Sequence, residues 1–427
     1  MPKKNHNKKL YIIIAITLFT YILVCVVTYD PSLKMPLYSS AGNIFTENQQ
    51  ENTKENNIDN IFNLTEILNQ TSTLSIMDEP TIEARNAIVL DNATGRSLYK
   101  KKPYEKVAMA STTKIMTFLI VAENCSIYEE TKVSKSSSSI GGSTMNLKAG
   151  EKISVEALLY GLLLNSGNDA ACALAEHTAG SIENFCKLMN EKARILGAFD
   201  THFTSPHGLD DDNHYTTCYD LALIAKAAVS IPLFVKIIST KQITLSGHYL
   251  TNTNPLLEKY DEVVGGKTGY TSKADRCLML YIKNDNVSAI IILLGSPSSA
   301  SRISDGAFLT KYISKCFKTF TLETKGSIVN PIKVSKGNLT HVNNIISENI
   351  TLTLSANDLL SLEYTSYVNE KKLVAPVHTN EVFASICIYS KDELLAKVNC
   401  IPSSNVLRKT YTDHLSDIIR AFPYVFT

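Results

Sequence analysis

Apolar positions recur along this chain in two different periods, and the change between them divides it. AIVLD from Ala87 to Asp91, then NATG, then RSLYK predicts a β-hairpin turning at Gly95. From about Ser111, Ile115, Phe118, Leu119 and Ala122 fall at i, i+3, i+4 and i+7, a helix with one buried face. Ser154 is an N-cap candidate for the run EALLYGLLL. That pattern breaks at Asn165-Ser166-Gly167-Asn168, and DAACALAEHTAG forms another helix ending at Gly180. Further helices are expected over 182–196 and 218–229, short apolar strands near 261–266, 277–282 and 289–294, and a closing helix over about 301–316. Strands at both ends with helices between predict an α+β domain whose sheet is closed by its N- and C-terminal pieces.

After about Thr321 the period becomes two. Ile332 and Val334 alternate with polar neighbours, as do Ile350, Leu352 and Leu354, Ala384, Ile386 and Ile388, and Ala396, Val398 and Cys400. This reads as a small all-β domain over 321–408. The tail at 409–427 carries DHLSDIIRAFPYVF, a short amphipathic helix broken at Pro423 and expected to pack as a terminus.

Upstream, Lys3, Lys4, Lys8 and Lys9 in the basic segment 1–9 precede an uncharged apolar run over 10–28. At about 1.5 Å per residue this run reaches roughly 28 Å, the thickness of a bilayer core. Basic residues before the span place the N-terminus in the cytosol and the remainder outside. A cleaved signal peptide, giving a secreted form, is the alternative, but no small-x-small site follows the run directly. Residues 29–84 are rich in Asn, Glu, Gln, Thr and Ser and read as a flexible spacer, leaving 85–320 as the main domain.

Composition narrows the classes. The 427 residues carry 42 basic and 41 acidic side chains, a net charge of +1, so no field draws nucleic acid. Charged residues are 19% and apolar ones 44%, which excludes a chain disordered throughout. Nine cysteines with no C-x-x-C pair encode neither a disulfide scaffold nor a zinc ribbon, and those beyond the apolar run, notably Cys172 and Cys277, read as small core residues.

Three short motifs carry candidate chemistry. Ser111 and Lys114 stand three apart at a helix start, on one face. A serine hydroxyl needs a base within hydrogen-bond reach, and a lysine serves only when neutral, through desolvation or a neighbouring cation. Alone, S-x-x-K also describes an N-cap serine with a solvated lysine. Ser166-Gly167-Asn168 lies in a helix break and alone is an ordinary connection. Lys267-Thr268-Gly269 ends VVGGKTG, but a phosphate-binding loop needs glycine where Asp261 stands, so a nucleotide site is rejected. A glycine on a strand instead marks a place where a ligand approaches the backbone closely. His202, His207 and His214 with Asp210, Asp211 and Asp212 match neither a helical zinc pair nor a calcium loop, and read as a structured loop near the active site. No metal and no cofactor are expected.

Together, S-x-x-K, then S-x-N some fifty residues on, then K-T-G about a hundred beyond, form the signature of penicillin-binding proteins and class A β-lactamases. More narrowly, with GGSTMNLKAGE (141–151) and SPHGLDDDNHYTTCYDLALIA (205–225), the chain resembles the serine-type D-alanyl-D-alanine carboxypeptidases, the low-molecular-mass penicillin-binding proteins of peptidase family S11. The resemblance covers roughly residues 85–320. It implies a β-lactamase/penicillin-binding-protein-like transpeptidase fold, an antiparallel sheet with a helical subdomain. It also implies Ser111 as acylated nucleophile, Lys114 as its base and Ser166 as proton relay. Asn168, Lys267, Thr268 and Gly269 would bind substrate, and the amides of Ser111 and Tyr270 would form an oxyanion hole. Arg302, thirty-five residues after Lys267, would hold the substrate carboxylate, against the alternative of a helix-start arginine paired with Asp305. The implied partners are peptidoglycan pentapeptide stems, β-lactams as covalent inhibitors and the cytoplasmic membrane, with the enzyme a single-pass protein of the bacterial cell membrane. A β-lactamase, disfavoured by SGN in place of SDN and by the lack of an E-x-x-L-N segment, and a non-catalytic β-lactam sensor or scaffold are the competing readings. Met109 stands where the family commonly has proline, Asp275 where glycine is common, and the anchor is N-terminal where many relatives use a C-terminal helix.

Overall fold

The computed structural model describes residues 74–368 and 372–421. The expected membrane span, most of the expected spacer and Pro423 lie outside these residues.

Five strands build the main sheet: β1 (Asn86–Asp91), β2 (Ser97–Lys101), β3 (Val263–Thr271), β4 (Asp275–Lys283) and β5 (Ser288–Ser296). Their order is β2-β1-β5-β4-β3, antiparallel throughout, so N-terminal β1 closes against C-terminal β5 from Asn86↔Leu294 to Asp91↔Ala289. The inner strands read as unbroken apolar runs because both faces are covered. Ile88, Leu90, Met279, Ile290 and Ile292 face one core, while Ala87, Val89, Leu278, Leu280, Ile291 and Leu293 face the other.

Six helices lie over the first face: α1 (Lys114–Asn124), α2 (Val155–Leu163), α3 (Asn168–Ala179), α4 (Ile182–Ile195), α5 (Cys218–Val229) and α6 (Pro232–Ser239). The second face is covered by α7 (Ser299–Cys316). Three features differ from the sequence expectation. First, α1 is buried at every position from Lys114 to Val121, not along one stripe, because α2 to α5 surround it. Second, β3 continues to Thr271, so Lys267-Thr268-Gly269 sits inside a strand. Third, the last stretch of the expected spacer is packed: Ile82 and Ala84 are buried, and the amides of Glu83 and Ala84 donate to Asp305 on α7. Helix α6 was not anticipated, although Pro232 at its first turn is a recognised start signal.

Strand β6 (Phe317–Glu323) follows α7 directly and pairs with β9 (Ile350–Ser355). A six-stranded sheet then runs β10 (Leu362–Val368), β12 (Ala384–Ser390), β13 (Glu393–Pro402), β8 (His341–Ile346), β7 (Ile328–Ser335), β11 (Lys372–Val374). The alternating residues Ile332, Val334, Ile350, Leu352, Leu354, Ile386, Ile388 and Val398 are all buried. Between β9 and β10 lies α8 (Ala356–Leu360), closed by a Ser355/Asp358 capping box. In the terminal helix α9 (Tyr411–Ala421), Tyr411 and Leu415 are exposed, so these residues do not pack as the expected buried terminus.

The two domains are joined by charge. Arg96, in the β1–β2 turn, donates to both carboxylate oxygens of Asp358 at 2.9 Å, to the Thr353 carbonyl and to Glu393. Burial alone would raise the Asp358 carboxyl, but the hydrogen bonds and charge of Arg96 and the bonds from Ser355 hold it below its ordinary value. Its stabilising contribution is therefore present at neutral pH and lost as pH falls through the folded carboxylate's titration. Arg96→Ala leaves Asp358 buried without its cation and should cost about 3 kcal/mol. Differential scanning calorimetry should show the β-rich domain melting earlier; an unchanged thermogram would deny the ion pair any role in joining the domains.

Candidate active site

A short 3-10 turn, Ala110–Thr113, precedes α1 and carries Ser111. Ala110 is held at φ +48°, a backbone region that L-residues other than Asn and Asp rarely occupy. Two contacts hold it there. The Thr113 hydroxyl donates to the Ala110 carbonyl at 2.7 Å, and Gly208 packs so closely that a Cβ on it would lie 2.0 Å from that same oxygen. Thr113 in turn accepts from His214 Nε2 at 2.8 Å, because His214 Nδ1 accepts the Thr204 amide at 3.0 Å. Burial first, with smaller contributions from neighbouring charges, lowers His214 to about 4, so the ring is neutral in this role. Met109, in the position of the common proline, is fully buried at φ −114°, outside the range a proline ring fixes.

The Lys114 amine is fully buried and meets three groups: Ser111 Oγ at 3.0 Å, Asn168 Oδ1 at 2.7 Å and the His207 carbonyl at 2.9 Å. Asn168 and His207 offer only acceptors, since Asn168 Nδ2 is committed to the Gly141 carbonyl at 2.7 Å. A neutral amine has two hydrogens and one lone pair. With both hydrogens given to carbonyl oxygens, the lone pair is left facing the Ser111 hydroxyl. Burial, then the charge of Lys267, lowers Lys114 well below the ordinary lysine value. The pair is thus a hydroxyl beside a base that has lost its proton.

Lys267 is also fully buried. Its ammonium donates to Ser166 Oγ at 2.9 Å and to the Thr268 carbonyl at 2.8 Å, and burial, then the charge of Arg302, lowers it to about 7. Ser166 sits at φ +60° between α2 and α3. Thr268 Oγ1 pairs with Thr253 Oγ1 at 2.7 Å. The close approach expected at Gly269 is to the protein's own backbone: a Cβ there would lie 3.0 Å from the Ser111 amide nitrogen. Strand β3 therefore passes directly beside the turn that carries Ser111. The exposed Tyr270 ring lies 3.7 Å from the Arg276 guanidinium carbon, a cation–π stack.

Arg302, in the first turns of α7, is 9% exposed, and its Nε has no partner. The alternative pairing with Asp305 does not form, since Asp305 accepts from the Glu83 and Ala84 amides. Among the described residues no carboxylate pairs with Arg302, and burial together with Arg276 lowers its pKa. Asp275 occupies the hairpin turn at φ +56°, a conformation aspartate tolerates better than most side chains, and pairs with Arg85 at 3.2 Å.

The histidine–aspartate stretch forms the wall beside this site. His202 Nδ1 bonds the Asn213 carbonyl, His207 supplies its carbonyl to Lys114, and Asp210 and Asp212 engage Lys273. Sequence reasoning put His207 and His214 in a structured loop near the site but gave no role to the His207 carbonyl, to the His214 ring or to Thr113, and did not single out Asp169, which accepts from the amides of Met145 and Leu147 and fixes the 141–151 loop. The stretches holding His207, His214 and the 141–151 loop were visible as motifs, but a backbone carbonyl has no signature in side-chain types.

Residues 73–298 match the D-alanyl-D-alanine carboxypeptidase family, peptidase S11, and residues 317–408 match the C-terminal domain of penicillin-binding protein 5. The chain is 32% identical over 326 residues to the D-alanyl-D-alanine carboxypeptidase DacF of Bacillus subtilis (strain 168), covering 74% of this chain and 84% of that protein. Its fold is similar to penicillin-binding protein 5 of Haemophilus influenzae, with TM-score 0.71, 27% identity and coverage of 78% and 100%. It is also similar to DacD of Francisella tularensis, with TM-score 0.65, 26% identity and coverage of 80% and 98%.

The two buried amines set a pH dependence. Acylation of Ser111 by an activated ester should slow on the acid side as Lys114 takes up a proton, and on the alkaline side as Lys267 loses its charge near pH 7. Lys114→Arg, which cannot deprotonate, should lower the stopped-flow acylation rate by about a hundredfold or more. Near-normal acylation in that variant would move the role of base to another group.

Proposed function

The chain belongs to the D-alanyl-D-alanine carboxypeptidase family, and from that membership we propose a serine hydrolase that removes the terminal D-alanine from peptidoglycan stem peptides through an acyl-enzyme on Ser111. The observation that carries this reading is the Lys114 amine, whose hydrogens go to Asn168 and His207 and whose lone pair faces Ser111 Oγ at 3.0 Å.

The Ser111 proton passes to Lys114 Nζ as Oγ attacks the penultimate carbonyl. The amides of Ser111 and Tyr270 receive the oxyanion; one such donor is typically worth about 3–4 kcal/mol. The C–N bond then breaks, and the departing D-alanine amine needs a proton. Ser166, bonded to Lys267, is placed to relay it, with Lys114 as the store. Water attacks the acyl carbonyl next, returning Ser111 and releasing the shortened peptide. Arg302 supplies a buried, unpaired cation for the carboxylate that only a chain end carries. Penicillins, which present an acylating amide and a carboxylate together, are expected to acylate the same serine.

The chain is proposed to be held at the outer face of the bacterial cytoplasmic membrane by its apolar run at 10–28, behind Lys3, Lys4, Lys8 and Lys9. Among the described residues no single helix is long and apolar enough to cross a membrane.

Mass spectrometry of the ectodomain with diacetyl-Lys-D-Ala-D-Ala and then with penicillin tests the reading. Turnover of the peptide and a penicillin adduct on Ser111 are expected, and Ser111→Ala should abolish the adduct with the unfolding temperature retained. Stable acylation without peptide turnover would leave a β-lactam sensor; rapid turnover of penicillin would leave a β-lactamase.

Arg302→Ala should reduce kcat/KM about tenfold or more on a free D-Ala-D-Ala terminus, roughly 2 kcal/mol of transition-state binding. It should do much less to the C-terminal amide. Equal losses on both substrates would make Arg302 structural.

A further inference from the structure

Helices α1 and α3 each begin at the reaction centre and run away from it side by side. Ser111 and Lys114 stand at the start of α1, Ser166 and Asn168 at the start of α3, and the Lys114–Asn168 bond of 2.7 Å ties those ends together. The far ends also meet. Cys125 caps α1, His177 lies in the last turn of α3, and Glu129 comes from the turn that follows Cys125. The Cys125 sulfur, a ring nitrogen of His177 and a carboxylate oxygen of Glu129 all lie within 4.8 Å of one another.

We propose that these three side chains form a Zn²⁺ site that staples the distal ends of the two motif-bearing helices. It is independent of the peptidase reading, because nothing in it depends on what Ser111 attacks.

Four features support the assignment. One thiolate, one imidazole and one carboxylate form a donor set suited to a borderline ion such as Zn²⁺, whereas Mg²⁺ and Ca²⁺ take oxygen ligands. In a tetrahedral zinc site such donors stand about 3.3–3.6 Å apart, so side-chain movements of about 1 Å complete the shell, and water takes the fourth position. The outer contacts already orient the ligands. The Ser126 amide donates to Glu129 Oε1 at 2.6 Å, leaving Oε2 beside His177 Nε2 at 2.8 Å. The Thr178 hydroxyl donates to the Leu174 carbonyl and so accepts from the Cys125 thiol at 3.3 Å. Finally, two helix C-termini converge here, and their unpaired carbonyls favour a cation. Among the described residues no lysine or arginine pairs with Glu129 to occupy that position first.

Without metal, burial and the Glu129 charge raise the Cys125 thiol despite its bond to Thr178. Binding would release that proton to solvent, with His177 coordinating through Nε2 and its ring hydrogen on Nδ1.

The test uses the full chain in detergent, stripped with chelator and titrated with Co²⁺. A thiolate-to-cobalt charge-transfer band should rise to one equivalent and be bleached by Zn²⁺. Cys125→Ser should lose the band, and His177→Gln and Glu129→Gln should weaken cobalt binding at least tenfold. Zn²⁺ should raise the unfolding temperature of the natural chain and not that of Cys125→Ser. Glu129 is exposed, so Glu129→Gln reports on the site even if the cysteine variant fails to fold. No band in the natural chain, a band undiminished in Cys125→Ser, or unchanged affinity in Glu129→Gln would each overturn the site.

Discussion

Two lysine side chains lie fully buried in one site, Lys114 and Lys267, and among the described residues no carboxylate pairs directly with either. Burying one unpaired ammonium costs several kcal/mol, and burying two as neighbours costs more. The molecule meets this constraint in two ways. It lets Lys114 lose its proton, and it surrounds both nitrogens with fixed oxygen acceptors in place of water. Asn168 and Ser166, the His207 carbonyl and the Thr268 carbonyl come from three separate segments. The helix pair, the 205–214 loop and strand β3 must therefore all be in register before either lysine is tolerable. The chemistry and the cooperativity of the fold share this origin.

The backbone pays for that arrangement at three positions. Ala110, Ser166 and Asp275 are non-glycine residues at positive φ; Ala110 precedes Ser111, Ser166 opens the second motif, and Asp275 pairs with Thr271 at the end of the strand that carries the third. Such residues cost on the order of 1–3 kcal/mol each and persist only where their surroundings over-determine them. At Ala110 the chain Thr204–His214–Thr113–Ala110 shows how: a buried neutral ring transmits the position of one loop to the carbonyl just before Ser111. The strain is local and its supports are distant in sequence.

That separation explains what was legible in the sequence. The fold class, the sheet closure and helices such as 218–229 followed from periodicity, because burial of one face writes itself into residue type. The motif residues were found because side chains with chemistry stand at set spacings. Helix α1 was read as amphipathic because Lys114, Thr112 and Thr113 look polar, yet all three are buried and hydrogen-bonded. The packed end of the expected spacer at Ile82 and Ala84 was lost among polar neighbours, since two apolar residues are too few to show a period. Backbone carbonyls, which supply two of the five contacts to the two lysines, are invisible to any reading of side chains.

The same constraint leaves the site unfinished without an anion. Arg302 is buried with no carboxylate partner among the described residues, Arg276 adds positive charge beside it, and together with Lys267 these groups concentrate charge beside the site. A lysine at about 7 is only half charged at neutral pH, because its ammonium suffers both desolvation and the field of Arg302. A carboxylate entering beside them offsets that field, so the Lys267 pKa rises and its charged form is restored. The restored charge then acts on Lys114, disfavouring its protonation and keeping the lone pair free for Ser111. A ligand bearing a terminal carboxylate thus sets the two amines to opposite states, one charged and one neutral. A ligand lacking it leaves Lys267 partly discharged and Lys114 less strongly held as a base. Binding of such a carboxylate and deprotonation of Lys114 are, on this electrostatic argument, one event.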